Sequence, residues 1–244
     1  TYLRSRPNAA EDEAIELLVK LVRKHGTRVH VVHLASGSAV PILRKAQDEG
    51  LPISAETCLH YLTFAAEEIE AGATHFKCAP PIRDTVNREQ LWQGLEDGVL
   101  GIVVSDHSPC TANLKKLDTG DFLGAWGGIS SLQLGLSGLW TLAEARNRWL
   151  ADVYRWSALN PAKLARLDSV KGSIEPGRDA DLVIWDDAAA LRVTRDMLRF
   201  RNKLSPYEGR TLKGTIQRTY LRGKLVFEDG RTVGGPQGRF LGSA

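Results

Sequence analysis

The chain has 244 residues, 43% hydrophobic and 25% charged, with 32 basic and 29 acidic residues giving a formal net charge of +3. That balance is typical of a soluble globular protein, long enough for one large domain or for one domain and a small companion. The charge is too small and too dispersed to argue for nucleic-acid or membrane-surface partners, and no apolar run approaches the roughly 18 residues of a membrane span.

In chain order, Asn8 is placed to cap a helix over about Ala9 to His25, with Glu11, Asp12 and Glu13 in its first turn and Ala14, Leu17, Leu18, Leu21 and Val22 as one apolar face. Gly26 suits its C-cap. A strand follows over Arg28 to Leu34, then a helix near Val40 to Glu49 and a strand from Leu51 to Thr57. The pattern continues with a helix near Ala65 to Ala71, an extended piece from His75 to Cys78, and a helix from about Asn87 to Asp97. Val99, Leu100, Ile102, Val103 and Val104 then form a short β-branched run, suited to a strand buried on both faces. Strands alternating with helices predict parallel βαβ units, but three strands are too few for a closed barrel of eight, which takes ~250 residues.

Beyond Cys110 a long polar and Gly-rich loop runs to Gly128, a kind of loop that is usually functional or mobile. Residues 129 to 167 read as helical, with Leu132, Leu136, Leu139 and Trp140 facing the core and Asn160-Pro161 opening a new turn. From residue 173 the character becomes turn-rich and then β, with strands at Leu182 to Trp185 and on either side of Arg222-Gly223. A small β domain is expected over residues 173–244.

Four presumptive strand ends carry polar residues: His33 with Ser36; Glu56 with Cys58 and His60; Lys77 with Cys78; and Asp106 with His107 and Ser108. In a parallel barrel these ends share one rim. His and Asp ligate zinc, a catalytic zinc keeps a position open for water, and a carboxylate beside it serves as general base and then acid. Each residue also has a plainer reading. Asp106 and Ser108 suit a turn cap, His33 a hydrogen-bonded strand histidine, and Lys77 a solvated or ion-paired lysine. His30 points away from His33 by strand alternation and reads as structural. Cys58 and Cys78 read as small buried apolar residues. An odd count of three cysteines without CxxC spacing, and no targeting-type start, fit a reducing cytoplasm.

The ordered segments His33-Leu34-Ala35-Ser36, Glu56-Thr57-Cys58-Leu59-His60-Tyr61-Leu62, Lys77-Cys78-Ala79-Pro80-Pro81-Ile82-Arg83 and Ser105-Asp106-His107-Ser108-Pro109 resemble the cyclic amidohydrolases of the amidohydrolase superfamily, as does Gly172-Ser173-Ile174-Glu175-Pro176-Gly177-Arg178-Asp179-Ala180-Asp181. Lys77-Cys78-Ala79-Pro80-Pro81, Ser108-Pro109-Cys110, Trp126-Gly127-Gly128-Ile129 and Asn202-Lys203-Leu204-Ser205-Pro206-Tyr207 favour the allantoinase branch over dihydropyrimidinase, hydantoinase and dihydroorotase. The resemblance implies an α/β fold: the C-terminal portion of a (β/α)8 TIM-like barrel over 1–172, with a small β-sandwich-like domain at the C-terminus. It implies a binuclear zinc centre, with His33 as ligand of one metal and Asp106 of the other. Asp106 takes the proton of the attacking water and delivers it to the departing amide nitrogen. Cys78 and Gly128 fall where relatives hold the ring amide by backbone groups, and His60 and Ser108 line the pocket.

The implied substrate is a cyclic ureide, allantoin opening to allantoate in purine catabolism, with dihydropyrimidine or hydantoin rings as the alternative. The implied assembly is a homo-oligomer, a tetramer in the family. The family pattern also includes a His-x-His pair, a carbamylated lysine and a further histidine, none with a counterpart in this chain. Two ligands of six do not hold a binuclear site, so the chain alone is expected to be inactive. A non-catalytic scaffold of the same fold is the reading from a different class.

Overall fold

The structure, a computed structural model, describes residues 1–241. It divides into two compact units: residues 1–135 with 199–208, and residues 136–198 with 209 onward.

The first unit is built on a three-stranded parallel sheet, β1 (Val29–Val31), β2 (Ile53–Cys58) and β3 (Ile102–Val104), in that spatial order. Val29 pairs with Ile53, and Glu56 pairs with Ile102. Helices α1 (Asn8–His25), α2 (Val40–Asp48), α3 (Leu59–Thr63) and α4 (Thr85–Glu96) alternate with the strands. The core is Leu34, Leu43, Leu59, Leu62, Phe64, Leu91, Trp92 and Leu100, all essentially fully buried. Because the strands are parallel, their carboxyl ends lie on one edge of the sheet, and the residues that follow each strand are delivered to the same side.

Helix α1 begins at Asn8 with Pro7 as its N-cap, and Gly26 closes it at φ +66° with its N–H on the Val22 carbonyl at 2.8 Å. Its buried stripe is Ile15, Val19 and Val22, while Leu17 and Leu21 face solvent. The apolar face expected from spacing is therefore rotated, and the cause is electrostatic. Glu11 accepts from the Ala35 backbone N–H at 2.7 Å and from Arg83 Nη2 at 3.2 Å, and Asp12 accepts from Ser36 Oγ at 2.7 Å. These two acids share a helix face with Ile15, Val19 and Val22 and turn it inward, which sends Leu17 and Leu21 out.

Two further expectations are corrected. The helix predicted over Ala65 to Ala71 shrinks to a 3₁₀ turn at Ala66–Glu68, with the helical turn proper earlier at α3; Ile69 and the glycine at 72 leave no room for a longer helix. The extended piece at His75 to Cys78 is a 3₁₀ turn, Thr74–Phe76, followed by extended Lys77. It pairs with no strand; buried Phe76 neighbours, including Phe64 at a ring distance of 5.0 Å, hold it instead.

Helix α4 is capped by Asp84, whose carboxylate accepts from Asn87 N–H at 2.8 Å. The buried Asn87 amide then donates to the Ala35 carbonyl at 2.7 Å and accepts from the Gly37 N–H at 2.7 Å, fastening the loop after β1. Gly37 must be glycine, because a Cβ there would sit 2.6 Å from Gln90 Cβ and 2.9 Å from the Asn87 carbonyl. Asn87→Ala leaves two buried backbone groups unpaired and is expected to lower stability by about 2–4 kcal/mol in urea unfolding.

The second unit holds α5 (Gly135–Ala145), α6 (Leu150–Tyr154), a π-helical turn at Arg155–Leu159, α7 (Asn160–Leu164) and a four-stranded antiparallel sheet. Its strands are β4 (Leu182–Arg192), β5 (Thr211–Leu221), β6 (Lys224–Glu228) and β7 (Arg231–Thr232). The helical region is thus broken rather than continuous, and Leu132 is exposed while Leu139 and Trp140 are buried. Helix α5 seats on β5: Ser137 Oγ donates to the Gly214 carbonyl at 2.6 Å, and Lys213 N–H donates to Thr141 Oγ1 at 2.7 Å. Gly214, at φ +93°, leaves room for the Trp185 ring, 2.4 Å from where a Cβ would be.

Candidate active site

The three strand ends converge as their parallel pairing requires. Beyond β1, Leu34 N–H donates to the Glu56 carbonyl at 2.9 Å and Thr57 Oγ1 donates to the Leu34 carbonyl at 2.8 Å. This holds His33 beside the end of β2. His33 lies past the strand at φ +42° rather than inside it, so strand alternation does not govern its direction. His30 is within β1 and engages Ser54 Oγ at 2.8 Å and Glu56 Oε2 at 3.1 Å. Beyond β3, Asp106 sits at φ +43° with an exposed side chain. Left-handed non-glycine residues cost roughly 1–3 kcal/mol and gather at functional sites. Both of these end their strands at the same edge of the sheet.

Cys58, His60 and Asp106 place one ligand atom each within 4.8 Å of one another. His60 is fully buried, and neither of its ring nitrogens has a hydrogen-bond partner among the described residues. Buried imidazoles are ordinarily satisfied, so a polar group left bare in a core points to a partner the chain itself does not supply. Burial, then the neighbouring His33 and Lys115, lower its pKa to about 3, so it is a neutral imidazole with a lone pair available. Burial pushes the Cys58 thiol well above its ordinary range. Imidazole, carboxylate and, once a bound cation displaces its proton, the Cys58 thiolate are donor types of a zinc site, so the set fits a divalent ion of that class. His33 is not among these three.

The amide-holding candidates are brought together by the loop after Cys110. The His107 segment runs parallel to Ile129, and Ser108 N–H donates to the Ile129 carbonyl at 2.9 Å. His107 Nδ1 accepts from the N–H groups of Ser131 at 3.1 Å and Leu132 at 3.2 Å, which fixes Nδ1 as unprotonated. Gly128 N–H donates to the Lys77 carbonyl at 2.9 Å, so Gly128 lies directly beside Cys78. A Cβ on Gly128, at φ +156°, would lie 2.2 Å from the Trp126 ring and 2.8 Å from Ser108 Cβ. Cys78, Gly128 and Ser108 therefore form one rim. The Cys78 carbonyl accepts from Tyr2 Oη at 2.7 Å, and Tyr61 Oη holds the Pro80 carbonyl at 2.8 Å. Burial raises the Cys78 thiol to about 12, leaving its backbone as the polar resource.

Lys77 is neither solvated nor ion-paired. It is buried, and its ammonium donates to the carbonyls of Leu123 and Ala125 over the Tyr2 ring. Composition offers no signal for this, nor for Asn87 or Lys115. From the sequence Cys58 reads as a strand-end residue beside Glu56 and His60 and as a small buried apolar side chain, not as a metal donor.

The sheet edge thus gathers a bare imidazole, a cysteine and a carboxylate close enough to hold a metal ion. Residues 4–226 match the amidohydrolase family, and the chain belongs to that family. It is 46% identical to the allantoinase of Saccharomyces cerevisiae over 236 residues, 96% of this chain and 50% of that one. It is 46% identical to the allantoinase of Streptomyces avermitilis over 240 residues, 98% of this chain and 53% of that one. Among solved structures it resembles the L-hydantoinase (dihydropyrimidinase) of Arthrobacter aurescens, with a TM-score of 0.91, 29% identity, and coverage of 95% of this chain and 52% of that one. The chain spans about half the length of the curated relatives it matches. Among the described residues no helix is long and apolar enough to cross a membrane.

Proposed function

We propose that the whole protein carrying this chain hydrolyses a cyclic amide, opening the ureide ring of allantoin to allantoate. The observation that carries the reading is the meeting of Asp106 with Cys58 and His60 at the strand-end edge, next to the backbone rim of Cys78, Gly128 and Ser108. The 46% identity to two allantoinases favours allantoin over hydantoin or dihydropyrimidine rings.

In this reading residues 1–172 are the C-terminal portion of a (β/α)8 barrel and residues 173–244 a small β domain. Asp106 and His33 would hold zinc, with the bare His60 and Cys58 beside them. The ion, when bound, supplies a Lewis acid and a water acidified toward neutrality. The chain's own residues do the rest. Asp106 is exposed and reachable by water; it accepts the proton released on attack and returns it to the leaving ring nitrogen. The backbone groups of Cys78 and Gly128 orient the ring amide, and His60 and Ser108 line the pocket. The protein assembles as a cytoplasmic homo-oligomer.

Metal analysis of the whole protein tests the reading against that of a non-catalytic scaffold. Stoichiometric zinc together with allantoin turnover is expected; near-zero zinc in an inactive, folded protein overturns it.

A further inference from the structure

Lys115 is the most unusual cation in the first unit. It is 3% exposed, and among the described residues no carboxylate pairs with it. Its ammonium donates to the Lys77 carbonyl at 2.9 Å and to the Gly128 carbonyl. Those two residues are already joined by the bond from Gly128 N–H to the Lys77 carbonyl. The Trp126 ring lies over the ammonium at 5.9 Å, and the same ring fills the space a Gly128 side chain would occupy. Burying an ammonium costs several kcal/mol, so a buried lysine spent on two carbonyls calls for a reason beyond loop closure. Lys77 already serves loop closure, holding the carbonyls of Leu123 and Ala125.

We propose that Lys115 is a positioning residue for the substrate amide: by tying the backbone at Lys77 to that at Gly128, it holds Cys78 and Gly128 at the spacing at which they receive the ring. This rests on the functional reading above. It assigns Lys115 no contact with substrate. The clamp acts through two carbonyls, one adjoining Cys78 and one on Gly128 itself, so its loss loosens ground-state and transition-state binding together.

The groups facing the ammonium are Cys110, Cys78 and Lys77, and Lys115 in turn acts on His60 and His75. Burial lowers Lys115 to about 8, while burial raises both thiols. Below that pH the clamp carries its charge, and above it the charge is lost.

The test is steady-state kinetics of the whole, metal-loaded protein for wild type, Lys115→Met, and Leu91→Ala as a core truncation away from the rim. Lys115→Met is expected to raise KM roughly 10- to 100-fold with kcat within about threefold. The wild-type KM is expected to climb as pH passes about 8, and the variant's to stay flat across that range. Hydrogen exchange at the Gly128 amide is expected to accelerate in Lys115→Met but not in Leu91→Ala. An unchanged KM and pH profile in folded Lys115→Met, with wild type active, overturns the proposal alone. A wild type inactive on every cyclic amide overturns the functional reading and this proposal with it.

Discussion

Asp106→Asn in the whole protein is expected to lower kcat for ring opening by on the order of 10³-fold or more, with little change in unfolding midpoint. The amide keeps the shape of the carboxylate but not its charge or basicity, so the proton of the attacking water has no acceptor and the departing nitrogen no donor. Stability should hold because the side chain is exposed and, among the described residues, makes no hydrogen bond. The left-handed backbone at φ +43° is also one that asparagine tolerates. Stopped-assay kinetics at matched metal content check this. Retained turnover at full metal occupancy would falsify the role given to Asp106.

Gly128→Ala is expected to be the most damaging single methyl group in the site. The added carbon would meet the Trp126 ring at 2.2 Å and Ser108 Cβ at 2.8 Å. The Trp126 ring, 37% exposed, must turn outward, and Ser108 must be pushed back. Trp126 shares its space with the Lys115 ammonium, and Ser108 is held through its backbone to Ile129. Overpacking of this kind costs about 1–3 kcal/mol, and the rim of Cys78, Gly128 and Ser108 must spread to take it. A loss in kcat/KM on the order of 10²-fold is expected, dominated by KM, together with a lower thermal midpoint. Wild-type kinetics in a folded Gly128→Ala protein would remove Gly128 from the rim.

The α/β character of the first unit was legible because its signals are local. The β-branched run ending at Val104, the glycine after His25 and the alternation of strands with helices all act within a few residues. What escaped was set by distant partners. Periodicity placed Leu17 and Leu21 in the core, but Glu11 and Asp12 are bonded to the loop after β1, and that rotates the helix. Nothing near Lys115 or Asn87 in sequence announces the carbonyls they hold, which lie 13 to 52 residues away. The site was legible as four ordered segments; parallel pairing accounts for three of them arriving on one edge, and the fourth, Lys77-Cys78, is joined through the Gly128 N–H to the Lys77 carbonyl. That His60 is fully buried with both nitrogens bare, the Tyr61 ring 4.2 Å away, is a property of packing that the sequence does not announce.

The most direct test is kcat/KM of the whole protein for allantoin, measured beside hydantoin and dihydrouracil. Allantoin is expected to be opened with the highest kcat/KM, by about tenfold or more, since a pocket's discrimination between related rings amounts to roughly 1–3 kcal/mol. A metal-replete protein that opens none of the three, or that prefers hydantoin or dihydrouracil, contradicts it.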